Sequence, residues 1–367
     1  MKKLFLLDAM ALIYRAYYAM IKSHRLTTNG LNTSAAFGFT NVLHELIRNE
    51  HPTHIAVAFD TGAPTLRHAD FDSYKANREA TPDDIVSNIP YIKRIISGFG
   101  IPILSMDGYE ADDIVGTVAK HAEIEGFDVY MMTSDKDYGQ LVSDHIFMYK
   151  PGKFGQKAEV VGVEGICEKY AIKEPEQLID ILGLWGDSSD NIPGVPNIGE
   201  VKAKKLIAQF GSIENIYARI DEVDNAKLRQ TLVDNEDQAR MSKNLATILL
   251  DVPISYSWDD MKFGHPNLPE LQKVFSELQF KQLAARIFAD FAPQQPVASG
   301  APDLFTPAAD LVPQETEEPV KAMDSFATVA HQYVPVNEIP LPLPAKLYFE
   351  WILNICLTSS VGRAFAL

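Results

Sequence analysis

Apolar runs that end in acidic residues recur through the first half of this 367-residue chain, and they restrict its fold more than any other feature. KKLFLLD, THIAVAFD and FDVYMMTSDKD are largely apolar up to their acids, and IPILSM leads into a further acidic stretch. The segments between them carry helical spacing, as with Leu12 and Ala16. Strands that are apolar on both sides belong to parallel sheets covered by helices. The sequence therefore predicts an α/β fold with a mostly parallel central sheet and helices on both faces.

The acids after these runs are expected to converge. In open α/β sheets, the carboxyl ends of the parallel strands form the ligand crevice. Four predicted strands deliver acids to that edge, and the later stretch GDSSDN adds two more. The candidate set is Asp8, Asp60, Glu110, Asp112, Asp113, Asp135, Asp137, Asp187 and Asp190.

So many carboxylates without cations would repel one another, which indicates a metal site. The sequence has no HExxH motif and no Cys/His array typical of zinc. Hard carboxylate oxygens suit Mg²⁺ or Mn²⁺, and two ions about 3.5–4 Å apart clamp the attacking and leaving oxygens of a phosphodiester. For the stretch GYEADDIVG read alone, a solvated helix start is the alternative, because acids suit the positive end of a helix dipole.

Residues 61–97 form a polar insertion that we interpret as an arch over the crevice. Its stretch YKANR places Lys75 and Arg78 about one helical turn apart, where both could face a phosphate. Tyr74 is a candidate for stacking on a base, and Arg67 is a candidate for contacting the nucleic-acid backbone. An ordinary connecting helix is the alternative interpretation.

The stretch IPGVPNIGEVKAKKLIAQFG has the pattern of a helix-hairpin-helix. A turn from Gly194 to Gly199 precedes a helix that carries Lys202, Lys204 and Lys205. Glycine turns and helix N-termini let backbone N–H groups approach phosphate oxygens, with the lysines alongside, so a phosphate backbone is the expected ligand. A plain helical hairpin with a solvated lysine face is the alternative.

Composition divides the chain into segments and places limits on its class. We expect an α/β core at 1–175, a helical subdomain at 176–290, a proline-rich acidic disordered linker at 291–344 and an unassigned tail at 345–367. The linker holds ten of the 22 prolines and much of the net charge of −16, so the acidic total does not exclude DNA. Two distant cysteines make no disulfide framework, and neither a leader nor a membrane span is recognised, so a cytoplasmic protein is expected.

With these motifs in place, residues 1 to about 290 resemble the 5′ nuclease (flap endonuclease) family. LLDAMALIYRAYYA, AVAFD, YKANREATPDD, GYEADDIVGT, TSDKDYGQLV and GDSSDNIPGVPNIGEVKAKKL occur in the family's order and spacing. Within the family, the similarity is greatest to the nuclease domains that form the N-terminal part of bacterial DNA polymerases. It implies a PIN-like fold and a 5′→3′ exonuclease and flap endonuclease that removes RNA primers and 5′ flaps in replication and repair.

The resemblance also implies roles for individual residues and ligands. Asp8, Asp60, Glu110 and Asp112 are similar to a first metal site, and Asp135, Asp137, Asp187 and Asp190 to a second, with Asp113 nearby. Lys75 and Arg78 match residues that contact the scissile phosphate, and the hairpin matches a module that grips duplex DNA, often with K⁺. The implied partners are nicked or branched DNA with a 5′ flap and RNA–DNA primer junctions, bound by a bacterial monomer that lacks the 3′→5′ exonuclease and polymerase domains.

Two other classes of protein share some of these sequence features. A non-catalytic nucleic-acid-binding module would use the hairpin alone and keep the acids for structure. A haloacid-dehalogenase-type phosphatase needs a second aspartate two residues after its nucleophile, but Met10 stands two residues after Asp8.

Overall fold

The computed structural model of this protein describes residues 2–152 and 157–291. A six-stranded sheet in the order β3-β2-β1-β4-β5-β6 forms its centre. The predicted linker, apart from its first residue, and the predicted tail lie outside the described residues. The strands are β1 (Lys2–Asp8), β2 (His54–Ala58), β3 (Ile103–Leu104), β4 (Phe127–Met132), β5 (Ile146–Lys150) and β6 (Glu159–Val161).

The first five strands are parallel, and β6 joins β5 in antiparallel orientation. In the centre, Leu6 lies opposite Ala56 of β2 and Met131 of β4. The chain winds outward from β1 in both directions, so the strand order reverses there. Such a switch point opens a crevice at the carboxyl ends of the strands, where ligands bind in α/β folds. The predicted mostly parallel sheet is thereby confirmed, while β5 and the antiparallel β6 were not foreseen.

Fourteen α-helices surround the sheet within the described ranges. Their order along the chain places α1 directly after the central strand and α5 directly after the acidic stretch. The helices are α1 (Ala9–Ala19), α2 (Ser34–Glu50), α3 (Leu66–Asp70), α4 (Asp83–Gly98), α5 (Ala111–Ile124), α6 (Val163–Tyr170), α7 (Gln177–Trp185), α8 (Glu200–Phe210), α9 (Ile213–Ala218), α10 (Ala226–Asp234), α11 (Glu236–Ala246), α12 (Trp258–Met261), α13 (Leu268–Glu277) and α14 (Lys281–Phe291). None of these helices is long and apolar enough to cross a membrane.

Apolar side chains on the two faces of the sheet enter two separate cores. Phe5 and Leu7 pack with α1, α2, α4, α13 and α14 on one face. Leu4 and Leu6 pack with α5 on the other face, and α7, α8 and α11 continue that same core. Successive residues of a strand point to opposite faces, so a strand buried on both sides must be apolar throughout. The predicted placement of helices on both faces is confirmed.

Only part of the predicted arch lies away from the core. Helix α4 covers its second half, and Ile85, Ile92 and Ile95 of that helix are fully buried against the sheet. For residues 83–97 the connecting-helix interpretation therefore fits better. Residues 61–82, which contain the short helix α3 and a series of turns, are the segment that reaches the acids.

Candidate active site

Asp8 ends the central strand and begins the first helix. Its Oδ1 accepts a hydrogen bond from the Ala11 N–H at 3.0 Å, which makes it the N-cap of α1. Its Oδ2 accepts from the hydroxyls of Thr133 at 3.1 Å and Tyr138 at 3.3 Å, both of which follow β4. Burial, together with the charges of Asp60 and Asp135, raises the pKa of Asp8 to about 6. The acids after β1, β2 and β4 are thus close enough to affect one another.

Helix α5 begins in the acidic stretch GYEADDIVG. Glu110 is its N-cap and is only 5 % exposed. The Ala111 N–H donates to Asp60 Oδ1 at 2.9 Å, so this helix start joins the ends of β2 and β3. Asp112 Oδ1 accepts from the Asp113 N–H, and burial with the neighbouring Asp113 raises the pKa of Asp112. Acids at the helix start do suit its dipole, but their burial shows that solvation does not explain them.

The predicted cations approach these acids from the turn after α3. Lys75 adopts a left-handed conformation with φ of 55°, and its Nζ donates to Glu110 Oε2 at 2.7 Å. The same ammonium lies 3.7 Å from Asp190 Oδ2, and Arg78 bonds Asp190 Oδ1 at 2.5 Å. Burial lowers the pKa of Lys75, but Glu110 and Asp190 outweigh it and raise the pKa. The structure therefore brings both cations to the rim, although through turns and not through a regular helix.

Asp137 differs from the other acids of this set in having a buried oxygen without a hydrogen bond. Its Oδ1 is buried and has no hydrogen-bond partner. Burial and the adjacent Asp135 raise the pKa of Asp137 to about 8. Lys136 Nζ lies 3.8 Å from that oxygen and also contacts Asp187. Burial raises the pKa of Asp187, but hydrogen bonds from Lys136 and Ser189 outweigh it and leave that pKa lowered.

These observations test whether the residues fit a divalent metal ion. An orphaned carboxylate oxygen and an all-oxygen donor set fit a hard cation that keeps some of its waters. Within residues 2–152 and 157–291, however, no three carboxylate, imidazole or thiol groups lie together as a ready-made metal cage. Lysine and arginine side chains instead stand between the carboxylates. The donor chemistry fits, and the predicted division into two metal sites stays a prediction.

Asp113 differs from the other acids because protein donors occupy both of its oxygens. Arg67 donates to Oδ2 and Oδ1 at 2.8 and 2.7 Å, and the N–H groups of Glu110 and Leu249 complete the set at 3.1 and 2.8 Å. Arg67 is 6 % exposed. Burial lowers its pKa, but Asp113 and nearby acids outweigh that effect and raise it. A backbone contact to DNA by Arg67 and a metal contact by Asp113 do not fit this placement, and we revise both predictions.

Tyr74 also requires a correction. It is 3 % exposed, so its ring offers no free face on which a base could stack. Its hydroxyl donates to Glu110 Oε2 at 3.0 Å and lies 3.4 Å from Asp190 Oδ2. Burial and the charges of these two acids raise the pKa of Tyr74, so the hydroxyl keeps its proton and donates it in both contacts. Tyr74 therefore links two carboxylates instead of presenting a stacking surface.

The two predicted hairpin glycines have different environments. Gly194 has φ of 60°, and a Cβ there would lie 2.4 Å from the Gly186 nitrogen. Its N–H donates to Ser242 and its carbonyl accepts from Gln238, so its backbone is not open to a phosphate. Gly199, in contrast, is the exposed N-cap of α8 with open space around it. The predicted phosphate contact is therefore retained for Gly199 and not for Gly194.

The lysines of α8 also divide by their contacts. Lys202 and Lys205 are exposed, and the Lys202 ammonium donates to the Asn197 carbonyl at 2.7 Å beside the turn. Lys204 is partly covered: it pairs with Glu200 at 2.6 Å and donates to the Lys169 carbonyl. The exposed pair is the part of the predicted interface that remains accessible to a ligand.

Sequence reasoning missed several residues that contact the acids. Thr133 and Tyr138 bond Asp8, Lys136 bonds Asp187, and Gln140 bonds the carbonyl of Asp137 at 3.0 Å. The stretch TSDKDYGQLV carried a local signal for Thr133, Lys136 and Tyr138. A lysine between two acids, and hydroxyls next to acids, can pair with those carboxylates. The role of Gln140 depends on a distant segment and had no local signal.

Comparison with known proteins identifies the family to which the chain belongs. Residues 3–171 match the family model of the 5′-3′ exonuclease N-terminal resolvase-like domain. Residues 173–269 match the model of the 5′-3′ exonuclease C-terminal SAM fold. The chain belongs to the 5′-3′ exonuclease family, which confirms the resemblance seen in its motifs.

The relatives place the chain more narrowly. It is 38% identical over 317 residues to DNA polymerase I of Bacillus caldotenax, an alignment that covers 86% of this chain and 35% of the relative. It is 37% identical to DNA polymerase I of Bacillus subtilis, covering 96% of this chain and 41% of the relative. The chain thus spans little more than a third of the length of these relatives.

Solved structures support the fold. The T5 D15 protein co-crystallised with metal ions matches with a TM-score of 0.56 at 18% identity, covering 78% of this chain and 99% of that one. The catalytic core of Rad2 in complex with DNA substrate matches with a TM-score of 0.54 at 20% identity, covering 79% and 92%. The predicted fold class is confirmed.

Proposed function

We propose that the chain is a structure-specific 5′→3′ exonuclease and flap endonuclease that hydrolyses phosphodiester bonds with two divalent metal ions, Mg²⁺ or Mn²⁺. One observation carries this proposal: acids from separate strand ends lie at one rim, and Lys75 and Arg78 contact the same carboxylates. Positive side chains beside a carboxylate rim suit a phosphodiester, whose negative oxygens need cations while its reacting atoms need activation.

The proposed metal ligands are the strand-end acids other than Asp113, together with Asp187 and Asp190 from the stretch GDSSDN. Bound divalent ions would lower the pKa of a water nucleophile and polarise the phosphate. The chain's own residues position these ligands: α1 holds Asp8, the start of α5 holds Asp60 and Glu110, and Tyr138 and Thr133 orient the Asp8 carboxylate. A solved structure of T5 5′-exonuclease with bound divalent metal ions, zinc, shares this fold and supports divalent ions as the class of cofactor.

Lys75 and Arg78 are the proposed phosphate contacts. Both stand on a turn, and their carboxylate partners hold them at the rim before any substrate arrives. When a phosphate oxygen approaches Lys75, the ammonium would exchange a carboxylate partner for a phosphate partner. It would therefore remain beside negatively charged oxygens. Fixed cations of this kind stabilise charge that develops during phosphoryl transfer.

Duplex DNA with a 5′ flap, together with RNA–DNA primer junctions, is the proposed substrate. The exposed N-terminus of α8 at Gly199, with Lys202 and Lys205 beside it, is the proposed backbone contact, and a K⁺ ion at the hairpin would extend it. A Rad2 core solved with DNA substrate and the polymerase I relatives support DNA as ligand. We further propose that the chain acts as a monomer on the bacterial nucleoid, in the steps that remove primers and flaps.

A labelled 5′-flap duplex, incubated with the protein in Mg²⁺ or in EDTA, tests the proposal. We expect cleavage near the flap junction only with Mg²⁺, leaving a 5′-phosphate and a 3′-hydroxyl. Asp137→Asn should abolish cleavage while flap-duplex binding persists. Asp128→Asn is the matched control, because Asp128 lies at the opposite end of β4 and pairs with His145.

Two results would contradict the proposal. Cleavage that continues in EDTA would exclude metal-dependent hydrolysis. A parent protein that binds the flap duplex but does not cleave it in Mg²⁺ would leave only a duplex-binding module, the alternative class raised by the sequence.

A further inference from the structure

A short segment, residues 245–249, comprises the last two residues of α11 and the three residues after it, and we call it the strap. It bonds to the group of acids around Glu110 and to the group around Asp137. Its carbonyls at Leu245 and Thr247 accept from Arg67 at 3.0 and 2.8 Å. Its N–H at Leu249 donates to Asp113. Its carbonyl at Ala246 and its N–H at Ile248 both bond Gln140. Every residue of the strap therefore bonds, through its backbone, the side chain of Arg67, Asp113 or Gln140. These three side chains connect the strap to Glu110 and Asp137.

The first contact leads to Glu110 and the arch. Arg67 bonds Asp113 with both of its terminal nitrogens, and Asp113 Oδ2 accepts from the Glu110 N–H at 3.1 Å. Glu110 in turn holds Lys75. A planar guanidinium fixes both the distance and the orientation of its carboxylate partner. The backbone position of Glu110 is consequently set from the strap.

The second contact leads to Asp137. Gln140 is 4 % exposed, and its amide nitrogen donates to the carbonyls of both Asp137 and Ala246 at 3.0 Å. Its amide oxygen accepts from the Ile248 N–H at 2.9 Å. One buried amide thus joins the strap to the 3₁₀ turn Asp137–Leu141. Loss of Gln140 would remove the side-chain partner of three backbone groups, the carbonyls of Asp137 and Ala246 and the N–H of Ile248.

The strap is anchored at its own start. The rest of helix α11 precedes it, and Ser242 and Gln238 of that helix bond the backbone of Gly194 at 3.1 and 2.6 Å. Lys243 pairs with Asp180 of α7 at 2.6 Å. The strap therefore extends from a fixed helix and cannot shift freely with either acid group.

We infer that the strap holds the two groups of acids at a fixed separation, with Arg67 and Gln140 as positioning residues. The inference rests on the proposed function for its catalytic consequence, but its structural part does not. Arg67 and Gln140 are buried, and they act by setting where Glu110 and Asp137 stand relative to each other. Displacements of about 1 Å at a reacting centre cost on the order of 100-fold in rate.

Amide hydrogen exchange on the protein alone tests the structural part. The variants are Arg67→Lys, which keeps the charge but loses the fork, and Gln140→Met, which keeps the length. We expect exchange in 245–249 to rise about tenfold in both, equivalent to one net hydrogen bond. The decisive signal is a change at the distant group of acids. Arg67→Lys should also speed amide exchange in residues 134–142, and Gln140→Met should speed it in residues 108–114. Arg67 does not bond the group around Asp137, and Gln140 does not bond the group around Glu110.

Matched controls exist on the surface. Arg94 bonds Glu277 through the same two-fold geometry, at 2.7 and 2.7 Å, and Gln272 bonds Ser276. Arg94→Lys and Gln272→Met should change exchange only next to themselves. If Arg67→Lys does not fold, Asp113→Asn provides the same comparison, because it breaks the fork and keeps an acceptor for Leu249.

Flap cleavage then tests the catalytic part. We expect each positioning variant to lower kcat about 10- to 100-fold at an unchanged Kd for flap duplex, and the double variant to be no worse than the worse single one. Exchange confined to the mutated group, or losses that multiply in the double variant, would overturn the inference. Absence of cleavage by the parent protein would overturn the proposed function and leave the exchange result to decide the strap.

Discussion

Neutralising Asp8 should stabilise the protein in EDTA while abolishing its activity. The pKa of Asp8 rises from 3.8 to about 6, because the folded state removes water from the carboxylate and places Asp60 and Asp135 near it. The folded protein therefore binds the proton more readily than the unfolded chain. Ionised Asp8 destabilises the fold fully above pH 6, and this penalty disappears as the pH falls below 3.8.

The two pKa values give the magnitude. A shift of about two units corresponds to about 3 kcal/mol at pH 8 and roughly half of that at pH 5. The amide introduced by Asp8→Asn keeps the N-cap to the Ala11 N–H but offers only one acceptor oxygen, which costs about 1 kcal/mol. Asp8→Asn should thus gain about 2 kcal/mol at pH 8, or roughly 3 °C in Tm for a folded region of this size, and much less at pH 5.

Thermal unfolding in EDTA at pH 5 and pH 8 measures this difference. Added Mg²⁺ should raise the Tm of the parent more than that of the variant, which loses one of the proposed ligands, because a ligand stabilises only the state that binds it. Asp128→Asn is the control: its carboxylate pairs with His145, so neutralisation should not stabilise. A variant that is less stable than the parent at pH 8 would refute the reasoning that the rim is strained by its own charge.

Two further predictions concern the arch and the hairpin. Lys75→Ala should lower kcat roughly 100- to 1,000-fold in a flap-cleavage assay, because a fixed cation acts on the transition state; a change in KM alone would make Lys75 a binding contact. Gly194→Ala should lower the free energy of unfolding by about 3 kcal/mol or more in urea, since its Cβ would meet the Gly186 backbone at a φ of 60°, whereas Gly199→Ala should change it by less than about 1 kcal/mol. Equal effects of the two substitutions would contradict the packing argument.

The sequence predicted what depends on local pattern. Continuous apolar runs located four strands, and their ends located the acids, because parallel strands deliver their carboxyl ends to one edge whatever the surrounding helices do. The short edge strand β6 was missed, since its three residues are largely exposed and carry no apolar run. Strand β5 was missed although it is apolar and is followed by Pro151 and Gly152, because no acid marks its end.

Roles that depend on distant partners could not be predicted. Arg67 and Tyr74 belong to a polar stretch, and only the fold shows that they are buried. Arg67 bonds a carbonyl 178 residues away, and Gln140 bonds an N–H 108 residues away. No local spacing encodes such partners. Gly194 likewise matched a phosphate-binding turn by sequence, whereas its close approach to Gly186 depends on how α7 and the turn fold together.

One layer of apolar side chains belongs to both halves of the chain. Leu4 and Leu6 of the central strand share a core with Leu182 of α7 and with Leu245 near the end of α11. Cutting between the two matched regions would expose the part of this core that α7 and α11 cover, and would leave those helices without the surface on which they pack. Each half alone should therefore be less stable than the joined chain.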